Sequence, residues 1–443
     1  MCRIERIVVV AAAFVLLLGG TAVAGQEPPA RAAEEVIGVG DCEYCHVKQP
    51  DARLSSPTLL MKLDVHGRAG LGCADCHGGD PVAGGKERAH AAEAGFVGRL
   101  DVQDIPELCA RCHSDAAFMV KYNPGVAVDQ LEKYKTSRHG ELLAMGLRKV
   151  ATCSSCHTSH NVRAAQDPMS NTYPANLPRT CATCHGDAAY MAGFPIPTDQ
   201  FEKFAASVHG VALLEKEDLA SPACNDCHSN HGAVPPGAQS LAHVCGNCHA
   251  LNMELFEKSP HLKPFDLQEL PQCTVCHDHH AIAPPTARTF NMEADSVCIT
   301  CHRTNDAGWQ AGKKMYGAYT ELVALQNKAG GLLDDAQKLG MDIAEGRFTM
   351  RDFRSSLFQL RTLSHQLDLV AYFEKAKEAR GQADGAIRIA EGAIGEFHFR
   401  RQGLTVSVLL FLPVLLLLYL KIRSLGRETG PERHETVGSG VKR

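Results

Sequence analysis

Residues 224–249 read CNDCHSNHGAVPPGAQSLAHVCGNCH, in which two Cys-x-x-Cys-His pentads enclose a further histidine. The same pentad occurs nine times and takes up eighteen of the nineteen cysteines in the 443-residue chain. Nine such pentads decide how the chain folds, because each must present two thiols and one imidazole together. They occupy residues 42–46, 73–77, 109–113, 153–157, 181–185, 224–228, 245–249, 273–277 and 298–302.

Each pentad carries the signature of covalent c-type haem attachment. The two thiols bond to the vinyl groups of haem, and the histidine that follows supplies one axial ligand to the iron. The sequence therefore predicts nine covalently attached haem c groups. The predicted attachment residues are Cys42, Cys45, Cys73, Cys76, Cys109, Cys112, Cys153, Cys156, Cys181, Cys184, Cys224, Cys227, Cys245, Cys248, Cys273, Cys276, Cys298 and Cys301. The predicted proximal ligands are His46, His77, His113, His157, His185, His228, His249, His277 and His302.

Two other uses of paired cysteines fit the pentads less well. Disulfides would explain an even number of cysteines in an exported chain, but they do not require histidine after the second cysteine. Zinc ribbons also use Cys-x-x-Cys, yet they need no histidine at the next position. All nine pentads end in histidine, which favours haem.

Thirteen histidines lie outside the pentads, and eight of them recur in fixed relation to the pentads. One form sits in Ser-x-His-Gly or a close variant, seven to fifteen residues before a pentad. The other form lies three residues after the histidine of a pentad. We predict that these histidines supply the sixth ligand of the irons: His66, His139, His209 and His261 in the first form, and His160, His231 and His280 in the second, with His90 as the substitute in the first unit.

The repeat divides the haem body into an initial site at residues 42–46 and four units, each with two pentads and two of these histidines. Eight histidines leave one of nine irons without an assigned sixth ligand. An iron left open would be a site where catalysis could occur. The ligand could instead be Met119 or one of His243, His279, His365 and His398, although a surface role is the simplest expectation for these histidines and for His434.

The two ends of the chain predict export and a membrane anchor. Residues 1–24 combine basic residues, an apolar run and Ala-Val-Ala, as in a secretory signal peptide. Residues 404–420 are uncharged and would span about 25 Å as a helix, close to the hydrocarbon thickness of a bilayer. We predict a single transmembrane helix over 403–421, a cytoplasmic tail over 422–443, and a body at the periplasmic face of the inner membrane of a Gram-negative-type bacterium.

The predicted haem domain, residues 25–304, has few large apolar residues in periodic runs. The haems themselves must therefore form its core, with short helices and loops around them. The predicted fold is mainly α, with little regular secondary structure in a stacked multihaem body, then a helical bundle and one transmembrane helix. A formal net charge of −5, to which haem propionates add, predicts no binding of nucleic acid.

Residues 305–402 differ from the haem domain, because they contain no cysteine and no proline and carry apolar residues at helical spacing. We predict two or three long antiparallel helices, with breaks at Gly330-Gly331 and Gly346, whose last helix runs almost continuously into the membrane. A structural bundle is the simplest role. A surface for oligomerisation or partner docking is the alternative.

The order of pentads, Ser-x-His-Gly and Cys-x-x-Cys-His-x-x-His over residues 42–302 resembles the periplasmic decahaem cytochromes of metal-reducing and dimethyl-sulfoxide-reducing conduits. It resembles more broadly the multihaem superfamily with the membrane-anchored quinol dehydrogenases and nitrite reductases. The resemblance implies that the eight repeated histidines are distal ligands. This chain departs from the decahaem pattern in its nine pentads and C-terminal anchor, so the partner complex is not implied.

These observations predict a membrane-anchored periplasmic nonahaem cytochrome c of anaerobic respiration. It would carry electrons between an integral, quinol-linked inner-membrane partner and periplasmic redox proteins. A bundle after a multihaem body also resembles hydroxylamine oxidoreductases and multihaem nitrite reductases, so an oxidoreductase with one open iron is the alternative. The lysine-ligated pentad of the nitrite reductases is absent.

Overall fold

The computed structural model describes residues 42–237, 240–286, 290–294 and 296–428. All regular secondary structure in these residues is helical, which confirms the predicted mainly α class. The described residues fall into two compact units, one made of 42–62 with 66–99 and one made of 63–65 with everything from Leu100 onward. The predicted signal peptide, most of the predicted tail and His434 lie outside the described residues.

Short helices joined by loops make up the described part of residues 42–302. Glycine and proline between the pentads limit each helix to a few turns. In chain order they are Cys42–His46, Ala52–Leu60, Val65–Arg68, Cys73–His77, Lys86–Ala89, Ala92–Ala94, Ile105–His113, Ala116–Met119, Gln130–Thr136, Arg138–Ala144, Cys153–His157, Leu177–His185, Gln200–Ala206, Val208–Gly210, Val211–Glu215, Cys224–His228, Leu241–Gly246, Ala250–Glu257, Leu262–Leu267, Gln272–His277 and Val297–Thr300.

Buried apolar side chains are sparse in this part of the chain. Leu213 is fully buried there, and the other buried apolar residues are scattered. The hydrophobic core cluster of the described residues begins only at Met315, within the C-terminal helices. The described polypeptide between residues 42 and 302 therefore provides little core of its own, as expected of a body organised around haem.

Three long helices form the C-terminal bundle: the first bundle helix is Ala307–Lys338, the second is Ala344–Leu363 and the third is Leu369–Glu428. The first and third run in the same direction, because Tyr372 donates a hydrogen bond to the Met315 carbonyl and Lys328 pairs with Glu391 further along. Short turns on both sides make the second helix antiparallel to its neighbours.

The break between the first two bundle helices is not where the glycines predicted it. Gly330 and Gly331 lie inside the first helix, and Gly346 lies inside the second. The chain instead turns at 339–343, where Gly340 has a φ of 77°. A glycine inside a helix costs only about 1 kcal/mol, and burial of Leu333 next to this pair outweighs that cost.

The third bundle helix continues without interruption from the bundle through the apolar segment. Its most apolar window has a mean hydropathy of 2.5 and none of that window is buried. Pro413 lies inside this helix. This part of the helix is long and apolar enough to cross a membrane, which fits the predicted anchor.

Candidate haem sites

Most pentads form one turn at the end of a short helix. In the helices Cys153–His157 and Cys224–His228, the two cysteines are three positions apart and so lie on one face. The histidine follows at the end of the same turn. This local geometry presents two thiols and an imidazole to one side, as attachment of a haem requires.

The residue after the first pentad of each unit has an unusual backbone. Gly78, Thr158, Ser229 and Asp278 all have φ between 64° and 66°, and ψ close to 180°. This region is nearly restricted to glycine, yet three of the four residues are not glycine. The sharp turn sends the chain back on itself, so that the histidine three residues after the pentad faces a different site.

The serine of Ser-x-His-Gly lies between two consecutive helices and caps the start of the second one. Ser137 accepts a hydrogen bond from the Gly140 N–H at 2.9 Å and donates one to the Tyr134 carbonyl at 2.6 Å. A side chain on Gly140 would collide with that carbonyl, so glycine permits the close approach. Ser207 makes the equivalent bonds. The motif therefore fixes the histidine in the first turn of a capped helix.

Successive units are joined by one recurring backbone hydrogen bond. The residue before a first-form histidine donates its N–H to the carbonyl two residues after the second-form histidine of the next unit. The three examples are Val65 to Val162 at 2.9 Å, Arg138 to Ala233 at 3.0 Å and Val208 to Ile282 at 2.9 Å. The repeat seen in the sequence is therefore also a structural repeat.

Seven histidines of the pentads lie opposite a histidine from outside the pentads, with ring centres 5.9–6.2 Å apart. Each pair joins one proximal to one non-pentad histidine. His279 and His280, which are neighbours in the sequence, differ from these pairs, because their ring centres are only 4.6 Å apart. The seven pairs are His46/His90, His185/His139, His157/His231, His249/His209, His228/His280, His302/His261 and His277/His365.

This separation fits an iron held between two imidazoles. A metal–imidazole bond is about 2 Å and the ring centre lies about 1 Å behind the nitrogen, so two ligands of one iron have ring centres about 6 Å apart. No group of three or more metal-ligating side chains occurs in the described residues, whereas a structural zinc site needs four. The pairs therefore suit haem and not zinc.

The pairs follow a rule that the sequence alone did not reveal. First-form histidines face the second pentad of their own unit, as His209 faces His249. Second-form histidines face the first pentad of the preceding unit, as His280 faces His228. The exception is His277, which begins the last unit and faces His365 from the bundle. The sequence left His365 as one of several alternatives for the ninth ligand, with a surface role as the simplest expectation. The absence of a unit after the last one is the signal that could have singled it out.

The remaining candidates separate into two groups. His243 and His398 have exposed side chains, and His279 is exposed and pairs with Asp278 at 3.0 Å. Met119 is buried in a short helix. The ligand roles of all the predicted histidines remain predictions, and the seven pairs do not include His66, His77, His113 or His160.

Two features of the polypeptide prepare these histidines for a metal. Hydrogen bonds from Nδ1 to a backbone carbonyl, as in His77 to Gly98 at 3.0 Å and His90 to Lys86 at 2.7 Å, favour the tautomer in which Nε2 is the ligating atom. Burial lowers the pKa of eight of the paired histidines and so favours the neutral form of those rings. It lowers the pKa of His280 to about 4, and lowers those of His139, His157, His185, His209, His231, His261 and His277.

Consecutive pentads lie next to each other along residues 109–302. The helix Cys153–His157 packs on Ile105–His113, and Gln272–His277 packs on Leu241–Gly246. The sites therefore follow one another in space in chain order. Thiols in hydrogen-bonding contact are Cys109/Cys153, Cys181/Cys224 and Cys245/Cys273. Between these pairs, Cys156 and Cys181, Cys227 and Cys245, and Cys276 and Cys298 are near enough to interact electrostatically.

Comparison with known proteins agrees with this geometry. Residues 65–186 match the cytochrome c3 family. Two curated relatives, the C-type polyheme cytochrome OmcB of two Geobacter sulfurreducens strains, are 33% identical over 129 residues, which is 28% of this chain. The chain spans 14% of the length of those relatives, and no solved structure matches it. The pentads, the family match and the relatives together support a multihaem c-type cytochrome with covalently bound haem c.

Proposed function

We propose that the protein is a membrane-anchored nonahaem cytochrome c of the periplasm. In this role it carries electrons between a quinol-linked donor in the inner membrane and periplasmic redox proteins. The family match and the relatives support electron transfer by a multihaem cytochrome, and the count of nine rests on the nine pentads.

The set of histidine pairs is the observation that carries this proposal. An iron with imidazole on both sides has no position for a substrate, so it exchanges electrons without binding one. The alternative of a nitrite or hydroxylamine oxidoreductase depended on one iron without a sixth ligand. His277 was the proximal histidine left over by the repeat, and it faces His365.

The polypeptide orders the sites and sets their surroundings. Pentad cysteines fix each haem covalently, and capped helices and backbone hydrogen bonds orient the paired histidines. Bound haem would supply reversible one-electron chemistry at each site. Adjacent pentads in chain order give a continuous series of sites along residues 109–302.

Membrane attachment supports a donor in the same bilayer. The third bundle helix carries the apolar segment, whose side chains are exposed from Leu404 to Leu420. One helix does not enclose a pocket for a quinol, so the proposal includes an integral partner. Attachment to the same membrane would raise the effective concentration of that partner.

Electron paramagnetic resonance of the oxidised, detergent-purified protein tests the proposal, with spins counted against covalent haem. We expect nine haems per chain, all low-spin, and reduction by a quinol analogue only when inner-membrane vesicles supply the partner. High-spin haem that binds nitrite or hydroxylamine and turns it over would contradict the electron-carrier proposal.

A further inference from the structure

The first pentad of the last repeat unit has no second-form histidine from a following unit to face. A second-form histidine comes from the unit that follows: His231 faces His157, and His280 faces His228. No unit follows residues 273–302, where the chain enters the first bundle helix instead. The repeat itself therefore supplies no second-form histidine that could face His277.

The bundle places an imidazole at this position. The ring centres of His277 and His365 are 6.0 Å apart, within the 5.9–6.2 Å range of the other six pairs. His365 Nδ1 lies 2.9 Å from the Thr362 carbonyl, one turn back at the end of its helix. His90 uses the Lys86 carbonyl in the same way at 2.7 Å. Both rings thus keep Nε2 for a metal.

The turn that carries His365 is held firmly. It connects the second and third bundle helices, and Leu367 within it adopts a φ of 56°. Leu360, in the helix before the turn, is fully buried, and Tyr372, in the helix after the turn, is 1% exposed. The helix Ala250–Glu257 of the haem body also packs on the second bundle helix. These contacts fix His365 relative to His277.

We infer that His365 is the sixth ligand of the iron whose haem is attached at Cys273 and Cys276. The inference rests on the proposed bis-histidine haem chain and extends it to the bundle. It gives the bundle a chemical role: one coordination bond joins the turn at 364–368 to the haem body, in place of a fifth repeat unit.

The test compares His365→Ala with the control His398→Ala. His398 lies on the third bundle helix, is exposed and has its ring next to that of Phe397, so its loss should leave every haem unchanged. In His365→Ala we expect one more high-spin haem per chain than in the wild type, by electron paramagnetic resonance. Added imidazole should return that haem to low spin, and the reduced variant should bind one carbon monoxide more than the wild type.

A second variant covers the possibility that alanine disturbs folding. His365→Met keeps a ligand atom, and we expect the midpoint potential of one haem to rise while the others stay the same, because histidine–methionine ligation raises the potential. A structural residue in this turn would not produce that selective shift.

The outcomes separate this inference from the proposed function. Equal numbers of high-spin haems in the wild type and His365→Ala, with full covalent haem in both, would overturn the assignment of His365. High-spin haem already present in the wild type would count against the fully ligated carrier. If the variant then still gained one further high-spin haem, the assignment would stand.

Discussion

At the scale of single residues, the positions directly after the first pentads carry strain. Thr158, Ser229 and Asp278 adopt φ of 64–66° with extended ψ, where a side chain costs about 1–3 kcal/mol. Gly78 occupies the equivalent position without that cost. The surrounding structure therefore requires this turn, which directs the second-form histidine to its site.

We predict that Ser229→Gly stabilises the protein. Relief of strain should outweigh the entropy of the added glycine, for a net gain of about 1 kcal/mol in the free energy of unfolding. Denaturation in guanidinium chloride, followed by circular dichroism of the haem bands, measures the change.

Ser355→Gly is the matched control for this prediction. Ser355 is exposed inside the second bundle helix, where glycine should cost about 0.5–1 kcal/mol. Destabilisation of Ser229→Gly by the same amount as Ser355→Gly would show that the turn after the pentad is not strained.

At the scale of elements, the bundle core follows the apolar pattern over most of its length. Phe353 and Leu360 are fully buried, and Leu357 is 5% exposed, as helical spacing predicts. The pattern continues in the sequence to Val370, which is nevertheless 75% exposed. The turn at 364–368 interrupts the helix and changes the register of the apolar pattern. Val370, the last residue of the pattern, therefore faces solvent.

We predict that Leu360→Ala weakens the bundle by about 2–5 kcal/mol, because it leaves a cavity among the three helices. Hydrogen exchange of the amides in the three bundle helices measures this loss. Covalent haem content should not change. The spin state at His277 serves as a second readout, since a loosened turn would release His365.

Phe358→Ala provides the control on the same helix. Its side chain is 66% exposed, so the stability change should stay within about 0.5 kcal/mol. Equal losses in Phe358→Ala and Leu360→Ala would mean that the face bearing Phe358 is buried against a partner or a second copy of the chain.

At the scale of the whole molecule, the third bundle helix acts as a spacer between the haem sites and the apolar segment. From Leu369 to Leu404 it rises about 50 Å, at 1.5 Å per residue. His302 precedes the first bundle helix, and His365 precedes the third, so both lie at the bundle end away from Leu404. If the proposed membrane donor delivers electrons to either of these sites, it must reach them with a domain outside the bilayer.

We predict that a chain ending at Gly403 is released from the membrane and keeps all covalent haem. The apolar segment has no contacts that the bundle core needs, because its side chains are exposed. Fractionation and the optical spectrum measure both properties. Reduction by dithionite should remain unchanged, whereas reduction by membrane vesicles should slow because the partner no longer shares its membrane.

Retention of the shortened chain in the membrane fraction after a high-salt wash would contradict this prediction. Loss of low-spin haem in the shortened chain would show instead that the apolar segment stabilises the body. A chain with Leu417→Ala alone serves as the control and should stay in the membrane, because one side chain contributes little to the total apolar area.

The sequence by itself determined the haem attachment chemistry, the repeat, the helical bundle and the apolar helix. Each of these depends on local spacing: three positions between cysteines, helical periodicity between apolar residues, and length for the span. The tertiary structure decided which histidines face each other. His280 faces His228 of another unit and His365 reaches His277 from the bundle, and such contacts depend on how distant segments pack, which no spacing along the chain encodes.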